Sequence, residues 1–418
     1  LNTTTTFQAI VTLNGCSATS NEVTITVNPG VNPGTAAAVL SALCSGSNTT
    51  INLASNTAGS TIQWQSKTTG AYADIPGATS AALPTGNLTT TTSYQAVVTL
   101  NGCSASSNEV TVTVNPIPAP GTATAVLSTL CSGNGTTINL ASNTAGSTIQ
   151  WQSKTTGAYA DIPGATSAAL PTGNLTTTTS YQAVVTLNGC IATSNEVTIT
   201  VNPIPAPGTA TAVLSTLCSG NGTTINLASN TAGSTIQWQS KTTGAYADIP
   251  GATNAALNTG NLNTTTTFQA IVTLNGCSAA SNEVTVTVNP IPAPGTATAV
   301  LSALCSGNGT TINLASNTAG STIQWQSKTT GAYADIPGAT NAALPTGNLT
   351  TTTSYQAVVT LNGCNATSNE VTVTVNPIPA PGTATAVLST LCSGNGTTIN
   401  LAANTAGSTI QWQSKTTG

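Results

Sequence analysis

The chain has 418 residues, of which fourteen are charged: five Lys and nine Asp or Glu, with no His and a net charge of −4. Globular domains carry about 25% charged residues. Hydration here therefore falls to Thr, Ser, Asn and Gln, and no basic surface is available for nucleic acid or an anionic membrane. The 39% apolar residues alternate with polar ones, which argues against disorder, and no apolar run approaches the roughly 20 residues of a membrane-spanning helix.

Trp64, Trp151, Trp238, Trp325 and Trp412 stand 87 residues apart, each inside the words GSTIQWQSKTTG. One large apolar side chain per period, in a chain of 3% aromatic residues, is the natural centre of a small core. The period divides the chain into a partial repeat at 1–28, whole repeats at 29–115, 116–202, 203–289 and 290–376, and a partial repeat at 377–418. Leu1 aligns with Leu262 and Gly418 with Gly70, and there is no Met. The expectation is an excerpt from a longer array, with any signal, anchor or sorting tail outside it.

Taking 116–202 in order, the stretch Asn115–Gly121 (NPIPAPG) is a Pro-rich joint, extended and semi-rigid. TATAVLS reads as a first strand, CSGNG as a turn, and TTINLAS as a second strand with Ile138 and Leu140 inward. In the Trp strand that follows, Trp151 faces one way, and Gln150, Gln152 and Lys154 face the other. A short segment with Tyr159 and Ile162 closes at Pro163-Gly164. Leu170 and Leu175 mark another short strand. In YQAVVTL, Tyr181, Ala183, Val185 and Leu187 share a face, Asn188-Gly189 signals a hairpin, and EVTITV returns with Val197, Ile199 and Val201 inward. Tyr94, Tyr181 and Tyr355 give way to Phe7 and Phe268 in sister repeats, so these rings pack and the hydroxyl is dispensable. About seven short strands, no helical period and a Trp in the third strand predict an all-β chain. It is expected to be a tandem array of Ig-like β-sandwich modules of 87 residues forming an elongated rod. A module of such strands is about 30 Å long, or about 40 Å with its joint. The joint at Asn28–Gly34 (NPGVNPG) has more Gly and less Pro, and is expected to be the most flexible.

Ten Cys, two per repeat, lie outside any metal-ligand spacing and point to disulfides in an oxidising, extracellular setting; buried thiols are the alternative. In an Ig-like topology Cys131 sits at the turn between the first two strands and Cys190 at the last hairpin. Those ends are about 25–30 Å apart, whereas a disulfide needs Cα atoms within about 7 Å. Head-to-tail stacking brings Cys44 near Cys190, Cys131 near Cys277, and Cys218 near Cys364. Pairing between modules is therefore favoured. A swapped or shifted first strand would instead join Cys131 to Cys190 and Cys218 to Cys277 within one module.

The order CSGNGTTINLAS, IQWQ, IPGAT, SYQAVVTLNGC, SNEVTVTVNP resembles the Ig-like tandem repeats of Bacteroidetes cell-surface adhesins, the type 9-secreted, SprB-like giant gliding adhesins. The resemblance covers every repeat. It implies a very long secreted surface protein whose tandem domains carry an adhesive region outward. The repeats depart from the antibody pattern, because Ala141 and Ala183 stand where an inter-sheet Cys pair would be expected.

No catalytic constellation is visible. Ser and Thr are abundant, but without His and with each Lys isolated (Lys67, Lys154), no base stands beside a nucleophile. Asp161 and Glu196 are the one possible carboxylate pair in a repeat, and they read as solvated, edge-protecting charges. Calcium needs six to eight oxygens, and one Asp and one Glu per repeat do not supply them. An isopeptide bond needs a buried Lys, and Lys154 faces outward. The reading is a non-enzymatic stalk of a long bacterial cell-surface adhesin, with no cofactor or metal and with neighbouring repeats as partners. Two alternatives stay open: repeats that bind glycan or surfaces multivalently, and subunits of an extracellular filament. Lateral assembly would show as an outer apolar stripe, which the Thr/Gln/Ser pattern does not offer. The adhesive target and any ligand-binding residues are unassigned.

Overall fold

The computed structural model describes residues 1–416; residues 417 and 418, which end the partial repeat expected at 377–418, lie outside the described residues. Every regular element described is a strand. The chain is all-β, a tandem array of Ig-like sandwiches, and the copy built on Trp151 stands for the others.

Its strands are β1 (Thr122–Ala125), β2 (Thr129–Cys131), β3 (Thr137–Ala141), β4 (Thr148–Lys154), β5 (Ala160–Asp161), β6 (Ala169–Pro171), β7 (Thr179–Leu187), β8 (Cys190–Thr193) and β9 (Val197–Asn202). One sheet has the order β1–β3–β6; the other runs β2–β9–β7–β4–β5, with β8 also paired to β7. All pairs are antiparallel except β2 with β9. That is an Ig-type sandwich whose first strand is shared between the two sheets.

This sharing corrects the expected single first strand. TATAVLS stops as a strand at Ala125, Val126 and Leu127 stand 65% and 53% exposed, and the chain re-enters the opposite sheet as β2. Leu175 forms only an isolated bridge to Asn134 rather than a strand. Alternation on β7 buries Tyr181, Ala183 and Val185. Trp151 pairs in register with Ala183, whose small side chain leaves room for the indole. The indole is fully buried, with Nε1 donating to the Ser167 carbonyl at 2.9 Å. Ala123, Leu130, Ile138, Leu140, Leu170 and Ile199 complete the core. Ala141, expected with Ala183 to mark the inter-sheet cysteine positions, is exposed at the end of β3, and Ile138 and Leu140 are the inward residues of that strand.

Trp64, Trp238 and Trp325 are likewise fully buried, and Tyr94, Phe268 and Tyr355 pack beside them. Trp412 is different: it is 51% exposed, and among the described residues no counterpart of β7 pairs beside it. Phe7 is likewise 50% exposed, with no Trp strand paired beside it among the described residues. Two compact units can be drawn, Leu1–Ile204 with Asn275–Cys277, and Pro205–Leu274 with Ser278–Gly418. The first holds the cores on Trp64 and Trp151, the second those on Trp238 and Trp325.

Candidate functional site: the joint between modules

Asn188 and Gly189 have φ of 48° and 81°, the two positive values of a primed two-residue hairpin. This turn presents the Asn188 carbonyl to the end of the preceding sandwich, where Asn115 Nδ2 donates to it at 3.1 Å. The same bond runs from Asn28 to Asn101 (2.6 Å), from Asn202 to Asn275 (3.0 Å) and from Asn289 to Asn362 (3.0 Å). Beside it, Cys44 lies in register with Asn115, and the Ser45 N–H donates to the Asn115 carbonyl at 2.9 Å. Disulfides join Cys44 to Cys190, Cys131 to Cys277, and Cys218 to Cys364, with Cα atoms 5.5–5.6 Å apart and a sequence separation of 146. Cys131 and Cys190, the two cysteines of one copy, thus bond to different neighbours.

The bridged hairpin cysteines Cys190, Cys277 and Cys364 are each 1% exposed, while the unbridged hairpin Cys103 is only half-buried. Cys16, Cys305 and Cys392 are also free, and exposed. For all four, a step of 146 residues in the direction set by their place in the repeat leaves the chain.

The Pro-rich stretch is pinned to its own sandwich. The Ala119 N–H donates to Thr144 Oγ1 at 2.7 Å, and the Thr144 N–H returns to the Ala119 carbonyl at 3.1 Å. Gly121 turns there with φ 79°, and a Cβ on it would stand 2.6 Å from the Ala141 oxygen. In NPGVNPG, Asn32 and Thr57 make the same pair, at 2.8 and 3.0 Å. Asn32 Nδ2 also donates to the Ser55 carbonyl (2.8 Å), and Asn32 Oδ1 accepts from the Gly34 N–H (3.1 Å). The joint expected to be loosest therefore carries additional hydrogen bonds, supplied by an Asn where its sisters have Ala.

Sequence reasoning passed over Ser194 and Asn195 and took Glu196 for a solvated charge. All three form the break between β8 and β9. Ser194 Oγ accepts from the Ala183 N–H at 2.9 Å and donates to the Asn195 carbonyl at 3.0 Å, which satisfies the interrupted ladder. Asn195 holds Ala123 of β1 by two bonds, Oδ1 accepting from its N–H (2.8 Å) and Nδ2 donating to its carbonyl (2.9 Å). It thereby ties one sheet to the other.

Glu196 meets Lys154 at 2.8 Å and accepts from the Tyr159 hydroxyl at 2.6 Å, with Lys154 Nζ 4.4 Å from the centre of the Tyr159 ring. Lys154 is therefore not isolated, and neither is Lys67, which meets Glu109 at 2.8 Å. The Lys154 bond, then the Tyr159 bond, hold the Glu196 carboxyl down at about 2. Burial, then Glu196, pushes the Tyr159 phenol up. Asp161 is held separately, accepting from Gln152 Nε2 at 2.8 Å. The two carboxylates considered for acid–base work thus have different, structural partners. The outward Gln150 and Gln152 are also engaged: Gln150 Nε2 donates to the Ile162 carbonyl (2.8 Å), and Gln152 Oε1 accepts from Gln182 Nε2 (2.8 Å).

Among the described residues, no group of three or more His, Cys, Asp or Glu is placed to hold a metal ion, and no helix is long and apolar enough to cross a membrane. A shallow groove recurs between Ile162 and Pro171 and at the equivalent places in two sister copies. Its lining has no aromatic ring. The half-buried Tyr159 ring is already covered by Lys154. The arrangement at the joints holds neighbouring modules together.

A family model described as "Domain of unknown function (DUF8696)" matches residues 32–116, 119–203, 206–290 and 293–377. The chain belongs to that family. Each DUF8696 span contains one Trp core and ends on the first Pro of a joint. No curated protein matches the chain. Among solved structures, the N-terminal four Ig domains of Dscam1 isoform 6.9 match at 12% identity and a TM-score of 0.23, covering 83% of this chain and all of that one. The D1–D4 ectodomain fragment of ICAM-5 matches at 13% and 0.35, covering 82% and all of that chain. Murine CEACAM1b matches at 14% and 0.26, covering 40% and 99%.

Proposed function

We propose that this DUF8696 array is the non-enzymatic stalk of a long bacterial cell-surface adhesin, holding an adhesive tip away from the cell. The observation that carries the reading is the recurrence of one joint. The same Asn–carbonyl bond stands at four successive places, three of the hairpins it meets carry disulfides, and the Pro-rich stretch is pinned to its own sandwich each time. A spacer needs the same joint many times. Disulfides at the joints favour an oxidising, extracellular location, and the likeness to Bacteroidetes adhesins adds type 9 secretion and gliding motility as the setting. The units of the stalk are 29–115, 116–202, 203–289 and 290–376, flanked by the partial repeats 1–28 and 377–418. Small-angle scattering and electron micrographs of the chain test the proposal. A rod advancing about 40 Å per module is expected, and a broad spread of end-to-end distances contradicts it.

One observation favours a second reading, lateral contact between copies in a filament. Val126 and Leu127 are exposed where the first strand changes sheets, and Val39–Leu40, Val213–Leu214 and Val300–Leu301 repeat the pair. The outer surface thus carries a recurring apolar spot that alternation alone did not reveal. Sedimentation across a concentration series decides: association abolished by Val126→Gln with Leu127→Gln supports the filament, and a monomer at every concentration removes it.

A further inference from the structure

We infer that the disulfides give the chain a covalent route for tension that bypasses strands β3 to β7, with their Trp, in the four whole copies. Each bridge joins the β2-type cysteine of one copy to the hairpin cysteine of the next, and consecutive bridges interleave: 44 with 190, 131 with 277, 218 with 364. From Cys190, residues 190–218 suffice to reach the next bridge on the same route. That segment comprises β8, β9, a Pro-rich joint and the first two strands of the following copy. The shortest covalent path through the molecule is therefore 1–44, across to 190–218, then across to 364–418. Cys131–Cys277 lies on a second, parallel route displaced by one copy. Residues 132–189, which carry β3 to β7 and Trp151, connect the two routes as a crosspiece, and 219–276 do the same around Trp238.

An array of domains linked only by its backbone carries load in series, so every domain is open to unfolding by force. Here β3 to β7 of the copies on Trp64 and Trp151, each Trp included, lie in the closed loop 45–189, and those of the copies on Trp238 and Trp325 in the closed loop 219–363, while Leu43, Ile199, Ala210, Leu217 and Val373 of the same cores lie on the route. A fully extended residue spans about 3.5 Å, so each loop withholds about 500 Å of chain from the stretched length. The consequence concerns connectivity alone and is independent of what the array carries at its tip.

Stretching the oxidised 418-residue chain by its two ends in optical tweezers tests this. The native chain is expected to reach a limit of about 450 Å, and the reduced chain about 1,450 Å. Cys131→Ser with Cys277→Ser leaves the limit unchanged, because that bridge is off the shortest path. Cys44→Ser with Cys190→Ser, or Cys218→Ser with Cys364→Ser, forces a detour through one core and adds about 400 Å. The limit is set by covalent connectivity, so a variant with an unfolded module still reports it, and chemical reduction of the native chain provides a measurement free of substitutions. A native oxidised chain that extends to its full backbone length overturns the inference. So does a chain lacking Cys131–Cys277 that lengthens as much as the other two variants.

Discussion

Trp238 illustrates how much of a copy depends on one side chain. It is fully buried, and its Nε1 donates to the Asn254 carbonyl at 2.8 Å. Trp238→Ala is expected to cost about 3–5 kcal/mol, most of the stability of a domain this small. Trp412→Ala, at a half-exposed position, should leave calorimetric unfolding unchanged. Equal shifts for the two variants would contradict the assignment of cores. A second residue-scale expectation concerns acid. Glu109, Glu196 and Glu370 titrate at about 2, held down first by their Lys partners. A lowered carboxylate stabilises the fold above its unfolded value of about 4.3, and that contribution is lost as pH falls through about 2. Melting temperature should therefore decline between these limits, and Glu→Gln at the three positions should flatten the slope. The Trp was legible because a period of two is a local signal. Glu196 was not, because Tyr159 and Lys154 reach it from 37 and 42 residues away, and only the assembled sheet brings them together.

At the scale of the strand, Asn195 does the work of a missing backbone ladder by holding both polar groups of Ala123. Asn195→Ala leaves those groups unpaired at a partly buried site and is expected to cost about 1–3 kcal/mol. Hydrogen exchange should show the loss first at β1; unchanged protection there would refute the tie. Gly121→Ala should destabilise more than an ordinary surface change, since it meets both a positive φ and the Ala141 oxygen. β3, β4, β7 and the Asn-Gly hairpin were legible from alternation and turn chemistry. The division of the first strand was not, because the apolar run Ala125-Val126-Leu127 reads as continued strand, and the switch depends on β9 offering β2 a parallel edge.

At the scale of the molecule, the central claim is that copies are bonded to one another rather than closed within themselves. Topology made that arrangement readable, since a strand's length separates the two cysteines of one copy. Composition could not show it, because every copy has the same two cysteines. One Lys per repeat, at 67, 154, 241, 328 and 415, makes the decisive measurement simple. The thiols are blocked, the chain is denatured without reduction and cut at every Lys, and the disulfide-linked products are weighed. Bridges between copies predict two separate assemblies, one of 1–67, 155–241 and 329–415, the other of 68–154 and 242–328. Bridges within copies would hold all five cysteine-containing peptides in a single assembly, and that result would contradict the account.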